Sequence, residues 1–188
     1  MSKTHKLITG LLAVVMVALV GLAVWTPSAD VAAASLDRWG GPGTRQNGGS
    51  VGSGLALTPL SDAEKTALQN AILEEYGAYN LYSAVIDQFG SVYPFTMIVR
   101  AEQSHLNALV RQATKYGVVV PVNPGLAEVV SFDTLADACA AGAAAEIADA
   151  ALYDDLKLVT VHTDLLQVYD RLQSASLNQH LPAFEACQ

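Results

Sequence analysis

Five residues of this chain have the types and spacing to hold a cation inside a protein: Glu75, Glu102, His105, Glu146 and His180. Glu102 and His105 stand three apart in A-E-Q-S-H, which places both on one face of a helix. They interrupt the series Phe95, Ile98, Glu102, His105, Leu109, whose alternating steps of three and four mark an interior helical stripe. Burying an unpaired carboxylate costs several kcal/mol, so three carboxylates with two imidazoles need a compensating charge. The basic residues nearest in sequence, Arg100, Arg111 and Lys115, fall off that stripe. A bound metal ion is the economical answer, and carboxylates with imidazoles suit iron, manganese or zinc better than copper(I) or calcium.

The elements that must position these groups are helices. S-D-A-E at Ser61 to Glu64 is a capping box, and the first helix carries Leu68, Ile72, Glu75, Tyr79, Tyr82, Ile86 and Phe89 on one seam. Gly90-Ser91 ends it, and Pro94 suits the first turn of the second helix. Pro121, Pro124 and Gly125 forbid regular helix between Tyr116 and Phe132. The third helix runs from about Asp133 to Leu158, with Leu135, Cys139, Gly142, Glu146, Asp149, Tyr153 and Leu156 as its seam. Thr163-Asp164 is expected to cap a fourth, with Leu166, Asp170, Gln173, Leu177, His180, Phe184 and Cys187 inward. The fold class is therefore all-α, an antiparallel four-helix bundle with a long connection between helices 2 and 3.

Antiparallel neighbours joined by a tight turn place two residues at one height when the turn is their midpoint. The midpoint of Glu75 and Glu102 falls beside the Phe89-Gly90 break, and that of Glu146 and His180 at Thr163. The polar interruptions thus line up within each hairpin. Cys139 and Cys187 share the second midpoint, which predicts a disulfide about two turns, roughly 10 Å, from the polar level.

The N-terminus, with Lys3 and Lys6 before an apolar run from Leu7 to Trp25 and small residues up to Ala34, is an export signal or a retained anchor. The expected organisation is 1–34 as this segment, 35–59 as a Gly/Ser-rich linker and 60–188 as the bundle. The bundle then lies outside the cytoplasm: secreted, periplasmic or on the outer face of the membrane. Membrane contact is expected only through the N-terminal segment, if it is uncleaved. A net charge of −8 argues against nucleic acid as a partner. No nucleophile elbow or phosphate loop is evident. Of the remaining histidines, His5 lies in the signal and His162 in a turn.

On E-Y-G-A-Y-N-L-Y (Glu75 to Tyr82), E-Q-S-H (Glu102 to His105), Glu146 in A-A-E-I-A-D and His180 in L-N-Q-H-L-P-A-F, the chain resembles the ferritin-like superfamily and its rubrerythrin-like branch. A-L-T-P-L-S, V-Y-P-F and S-L-N-Q-H-L-P-A-F are also similar to an exported family catalogued as domain of unknown function 2202. The resemblance implies a site for two metal ions, most often iron, reacting with dioxygen or peroxide. It carries Glu75, Glu102, His105, Glu146 and His180 over as ligands. The sixth position, three before His180, is Leu177, which cannot coordinate. Asp149 stands at the same height on the third helix and is the candidate replacement; without a sixth ligand the site is expected to hold one metal well and a second poorly, or only one. Tyr79 and Tyr82 are candidates to touch the ligands. Two functions follow: a di-iron oxidoreductase, or a non-enzymatic envelope module that binds metal or a partner.

Overall fold

The computed structural model describes residues 57–187, which form helices and connecting turns with no strand among them. The expected export segment at 1–34, and all but the end of the linker at 35–59, lie outside the described residues. Helix α1 spans Asp62–Phe89, α2 Phe95–Tyr116, α3 Leu135–Leu158 and α4 Thr163–Ala175. A π-helical turn, Ser176–His180, leads from α4 into a short α5, Leu181–Glu185. Among the described residues no helix is long and apolar enough to cross a membrane.

The helix starts follow capping chemistry, with two corrections. Ser61 and Glu64 form the expected capping box. A second box, Thr134 with Asp137, moves the start of α3 from Asp133 to Leu135. At α4 the N-cap is His162 without a side-chain bond, so Thr163-Asp164 does not cap it. The Asp164 carboxylate instead accepts hydrogen bonds from Lys115 Nζ at 2.7 Å and from the Tyr116 hydroxyl at 2.8 Å, at the end of α2.

Glu64 also ties the start of α1 to the turn between α3 and α4. Its Oε1 accepts from the backbone N–H groups of Val161 (2.9 Å) and His162 (3.1 Å) and from His162 Nδ1 (2.7 Å). The residue is 1% exposed. Burial alone would raise its pKa, but hydrogen bonds from His162, Val161 and Ser61 outweigh it and hold the carboxyl at about 2. The stabilisation is present above the ordinary value of 4.5 and is lost as pH falls toward 2. Glu64→Gln is expected to cost roughly 2 kcal/mol at pH 7 and to flatten the fall in melting temperature over that acid window, read by thermal melts.

Two apolar clusters flank one polar level. The first gathers Leu68, Ile72, Leu109, Tyr153, Leu165 and Tyr169, and the second Tyr82, Phe95, Ile98, Cys139 and Phe184. On α1, α2 and α3 the chain passes from one cluster to the other at Glu75, Glu102 and Glu146, and after α4 it does so at Ser176 to His180. The second cluster is tightly closed: a Cβ on Gly142 would lie 2.7 Å from the Phe184 ring, so this position admits no side chain. Helix α1 packs on α2 and α3, and α3 on α4, the π-helical turn and α5. The connection between α2 and α3 lies along α1, held by Gln69 Nε2 on the Val119 carbonyl, Asn80 with Asn123, and Gln88 with the Phe132 backbone.

The inward face of α4 differs from its expected seam. Leu165, Tyr169, Leu172 and Ser176 are buried there, whereas Asp170 is exposed and Leu177 is 41% exposed. The π-helical turn is the reason. Its closing bond, from the Leu181 N–H to the Ser176 carbonyl, spans one residue more than an α-helical bond. The face therefore shifts by one position, and stepping back from His180 at helical spacing reaches Leu177 when the interior residue is Ser176.

Candidate metal centre

The polar level gathers side chains from α1, α2, α3 and the π-helical turn. Glu75, Glu102 and His105 offer ligand atoms that all lie within 4.8 Å of one another, and Glu102, Glu146 and His180 form a second such group. Glu102 belongs to both, with one oxygen toward each histidine: Oε2 is 2.8 Å from His105 Nδ1, and Oε1 is 3.0 Å from His180 Nδ1. The outer carboxylates stand farther off, Glu75 Oε2 at 3.3 Å from His105 Nδ1 and Glu146 Oε2 at 3.3 Å from His180 Nδ1. The two imidazoles stack with ring centroids 5.5 Å apart.

Each outer carboxylate is fixed by a tyrosine from the opposite helix. The Tyr153 hydroxyl of α3 donates to Glu75 Oε1, and the Tyr82 hydroxyl of α1 donates to Glu146 Oε1, both at 2.5 Å. The arrangement is reciprocal, because Glu75 and Tyr82 are spaced as Glu146 and Tyr153 are: seven residues, about two helical turns. In each outer carboxylate one oxygen is thereby occupied and the other faces a histidine.

Electrostatics set the charges of the cluster. Burial alone would depress both imidazoles, but the facing carboxylates raise His105 to about 10 and His180 to about 9. Burial would raise Glu102, but the two facing imidazoles, foremost His105 with its hydrogen bond, bring it to about 2. Glu75 is pushed well up by burial, against the pull of His105. A metal bound through these ring nitrogens would have to displace their protons. The residues fit a metal on a further count. Although His180 Nδ1 lies close to Glu102 Oε1, the contact falls outside hydrogen-bonding geometry, and this buried oxygen has no hydrogen-bond partner among the described residues. An anionic oxygen left so is a ready ligand.

The structure therefore brings together Glu75, Glu102, His105, Glu146 and His180. Asp149 is nearby but in neither group. It is 7% exposed, its Oδ2 accepts from the Ser176 hydroxyl, and its Oδ1 has no partner among the described residues. Burial raises its pKa to about 8, with Ser176 opposing and the charges of Glu146 and Glu74 adding to the rise. Leu177 points away from this level. Tyr82 touches the site through Glu146, whereas Tyr79 packs on the first apolar cluster. Cys139 and Cys187 are disulfide-bonded, with Cα atoms 5.9 Å apart.

Sequence reasoning missed Tyr153 and Ser176 as contacts of the site. The repeated spacing of Glu75 to Tyr82 and Glu146 to Tyr153 was a readable signal for the first. Nothing in the residue pattern marked the π-helical turn that brings Ser176 inward.

No family model matches the chain, and no curated protein matches it. Among solved structures it is similar to a hypothetical protein from Methanococcus jannaschii DSM 2661. The two share 26% identity with a TM-score of 0.61, over 70% of this chain and 83% of that one.

Proposed function

We propose that residues 60–188 are an exported ferritin-like bundle of the rubrerythrin-like kind, whose centre holds two metal ions, foremost iron, and reacts with dioxygen or peroxide. Glu102 is the observation that carries this reading. One buried carboxylate that presents separate oxygens to His105 and His180 is what two metal positions sharing a bridge require. The antiparallel arrangement draws support from the cross-helix pairs: Glu75 meets Tyr153 and Tyr82 meets Glu146, so numbers rise on α1 as they fall on α3. Between α3 and the segment after α4, Asp149 meets Ser176, Glu146 meets His180 and Cys139 meets Cys187 in the same opposed order.

Glu75, Glu102 and His105 would hold one ion, and Glu102, Glu146 and His180 the other. Bound iron would supply one-electron steps between iron(II) and iron(III). The chain's own part is to orient and to exclude water. Tyr153 and Tyr82 keep Glu75 and Glu146 from turning away, and the flanking apolar clusters keep the level dry. Electrons would come from iron(II) itself or from a protein partner. Manganese or zinc could occupy the same ligands.

A second reading is a non-enzymatic envelope module with a partial site. Leu177 favours it, because an exposed leucine stands where a sixth ligand is expected and Asp149 is engaged with Ser176. Anaerobic loading with iron(II) followed by dioxygen or peroxide separates the two. The first reading expects the ultraviolet absorption of iron(III) to grow far faster than for iron(II) in buffer. Bound iron that oxidises no faster than free iron would leave the second. Asp149→Ala, loaded in parallel, tests the replacement ligand: unchanged stoichiometry and affinity would remove Asp149 from the set.

A further inference from the structure

The end of the bundle where α1 begins carries an apolar face that nothing among the described residues covers. Leu158, Val159 and Val161, in the turn between α3 and α4, are 84%, 46% and 77% exposed, and Leu57 beside them is 55% exposed. His162 holds the two segments together: its Nε2 donates to the Thr58 carbonyl at 3.1 Å, and its Nδ1 meets Glu64 at 2.7 Å. The core does not draw on these four side chains, because Leu60, Leu156, Thr160 and Leu165 are the buried residues of the same segments. Turn chemistry does not call for them either. Exposed turns favour Gly, Asn, Asp, Ser and Pro, as at Gly90-Ser91 at the opposite end, and L-V-T-V from Leu158 to Val161 has none of these.

We infer that, with the N-terminal segment retained as an anchor, this end docks on the interfacial region of a lipid bilayer and makes a second membrane contact. The place where the rest of the chain joins argues for lipid as the occupant. Residues 1–56 lead into Leu57, so the apolar run from Leu7 to Trp25 connects to the bundle at the end that bears the exposed side chains. A chain of the length of 26–56 reaches roughly 30 Å. A surface so tethered meets the bilayer at a high effective concentration, and a shallow contact suffices. Charge selects neutral headgroups over anionic ones. The turn 158–161 has no ionisable side chain, and the nearest lysines are engaged: Lys65 with Asp62, Lys115 with Asp164 and Lys157 with Asp170. Aliphatic side chains without a free basic rim enter the headgroup boundary by apolar burial alone.

The test uses the full chain reconstituted with phosphatidylcholine vesicles. Nitroxide labels are placed singly at Leu57→Cys, Val161→Cys and, at the opposite end, Ser91→Cys, all exposed positions, with Cys139 and Cys187 held in their disulfide. For each label, the collision rate with oxygen, which concentrates in lipid, is divided by that with a water-soluble nickel chelate. The ratio is expected to be at least roughly threefold higher at Leu57 and Val161 than at Ser91. In Leu158→Glu/Val161→Glu, which alters exposed side chains and spares the core, the ratio at Leu57 should fall to the Ser91 value. Equal ratios at Val161 and Ser91 would overturn the inference, as would failure of the full chain to stay with the vesicles. So would a Val161 label shielded from both reagents whose spectral broadening vanishes on dilution with unlabelled chain, since a second copy would then cover the face.

Discussion

Glu102→Ala should empty both of the proposed metal positions at once, with affinity falling by at least about 100-fold at each, since even outer partners of a ligand are worth 10- to 100-fold. Glu75→Ala should spare the group built on His180, and Glu146→Ala the group built on His105, because each outer carboxylate belongs to one group only. Metal content measured beside protein concentration separates the three variants. The metal-free protein offers a second readout. His105 and His180 are raised to about 10 and about 9 largely by Glu102, so in Glu102→Ala both pKa values should fall, visible as imidazole titration by NMR. Unchanged titration would mean that Glu102 does not face both rings.

Loss of the Cys139–Cys187 disulfide should be the largest stability effect outside the polar level. The bond closes a loop of 48 residues, and on the chain-entropy model such a closure stabilises by roughly 4 kcal/mol. The double variant Cys139→Ala/Cys187→Ala is expected to melt about 10–20 °C lower. The bond also anchors the segment after the π-helical turn, where Phe184 packs with Tyr82 and Phe95 at centroid distances of 5.1 and 5.0 Å. Metal retention should therefore weaken in the same variant, as His180 lies four residues before Phe184. Unreduced, denatured protein should show no free thiol, and two would contradict the bond.

The helices, their heights and the five grouped ligand candidates were legible because each rests on local periodicity and on short turns. Glu75 and Glu102 share a level because the break at Gly90 fixes their hairpin, and Cys139 pairs with Cys187 for the same reason at Thr163. The face of α4 was not legible. A π-helical turn adds one residue where a constant 3.6-residue step is assumed, so Leu177 was placed inside and Ser176 was overlooked. Glu64 was read only as a capping residue, since its bonds to Val161 and His162 join segments far apart in sequence. The pairing of Tyr153 with Glu75 is tertiary in the same sense, although its echo in Tyr82 and Glu146 was present in the spacing.

The central claim is that Glu102 is shared by two metal positions. Anomalous diffraction at the iron edge from iron-loaded crystals tests it most directly. Two peaks are predicted, one among Glu75, Glu102 and His105 and the other among Glu102, Glu146 and His180. A single peak, or peaks away from Glu102, would contradict it.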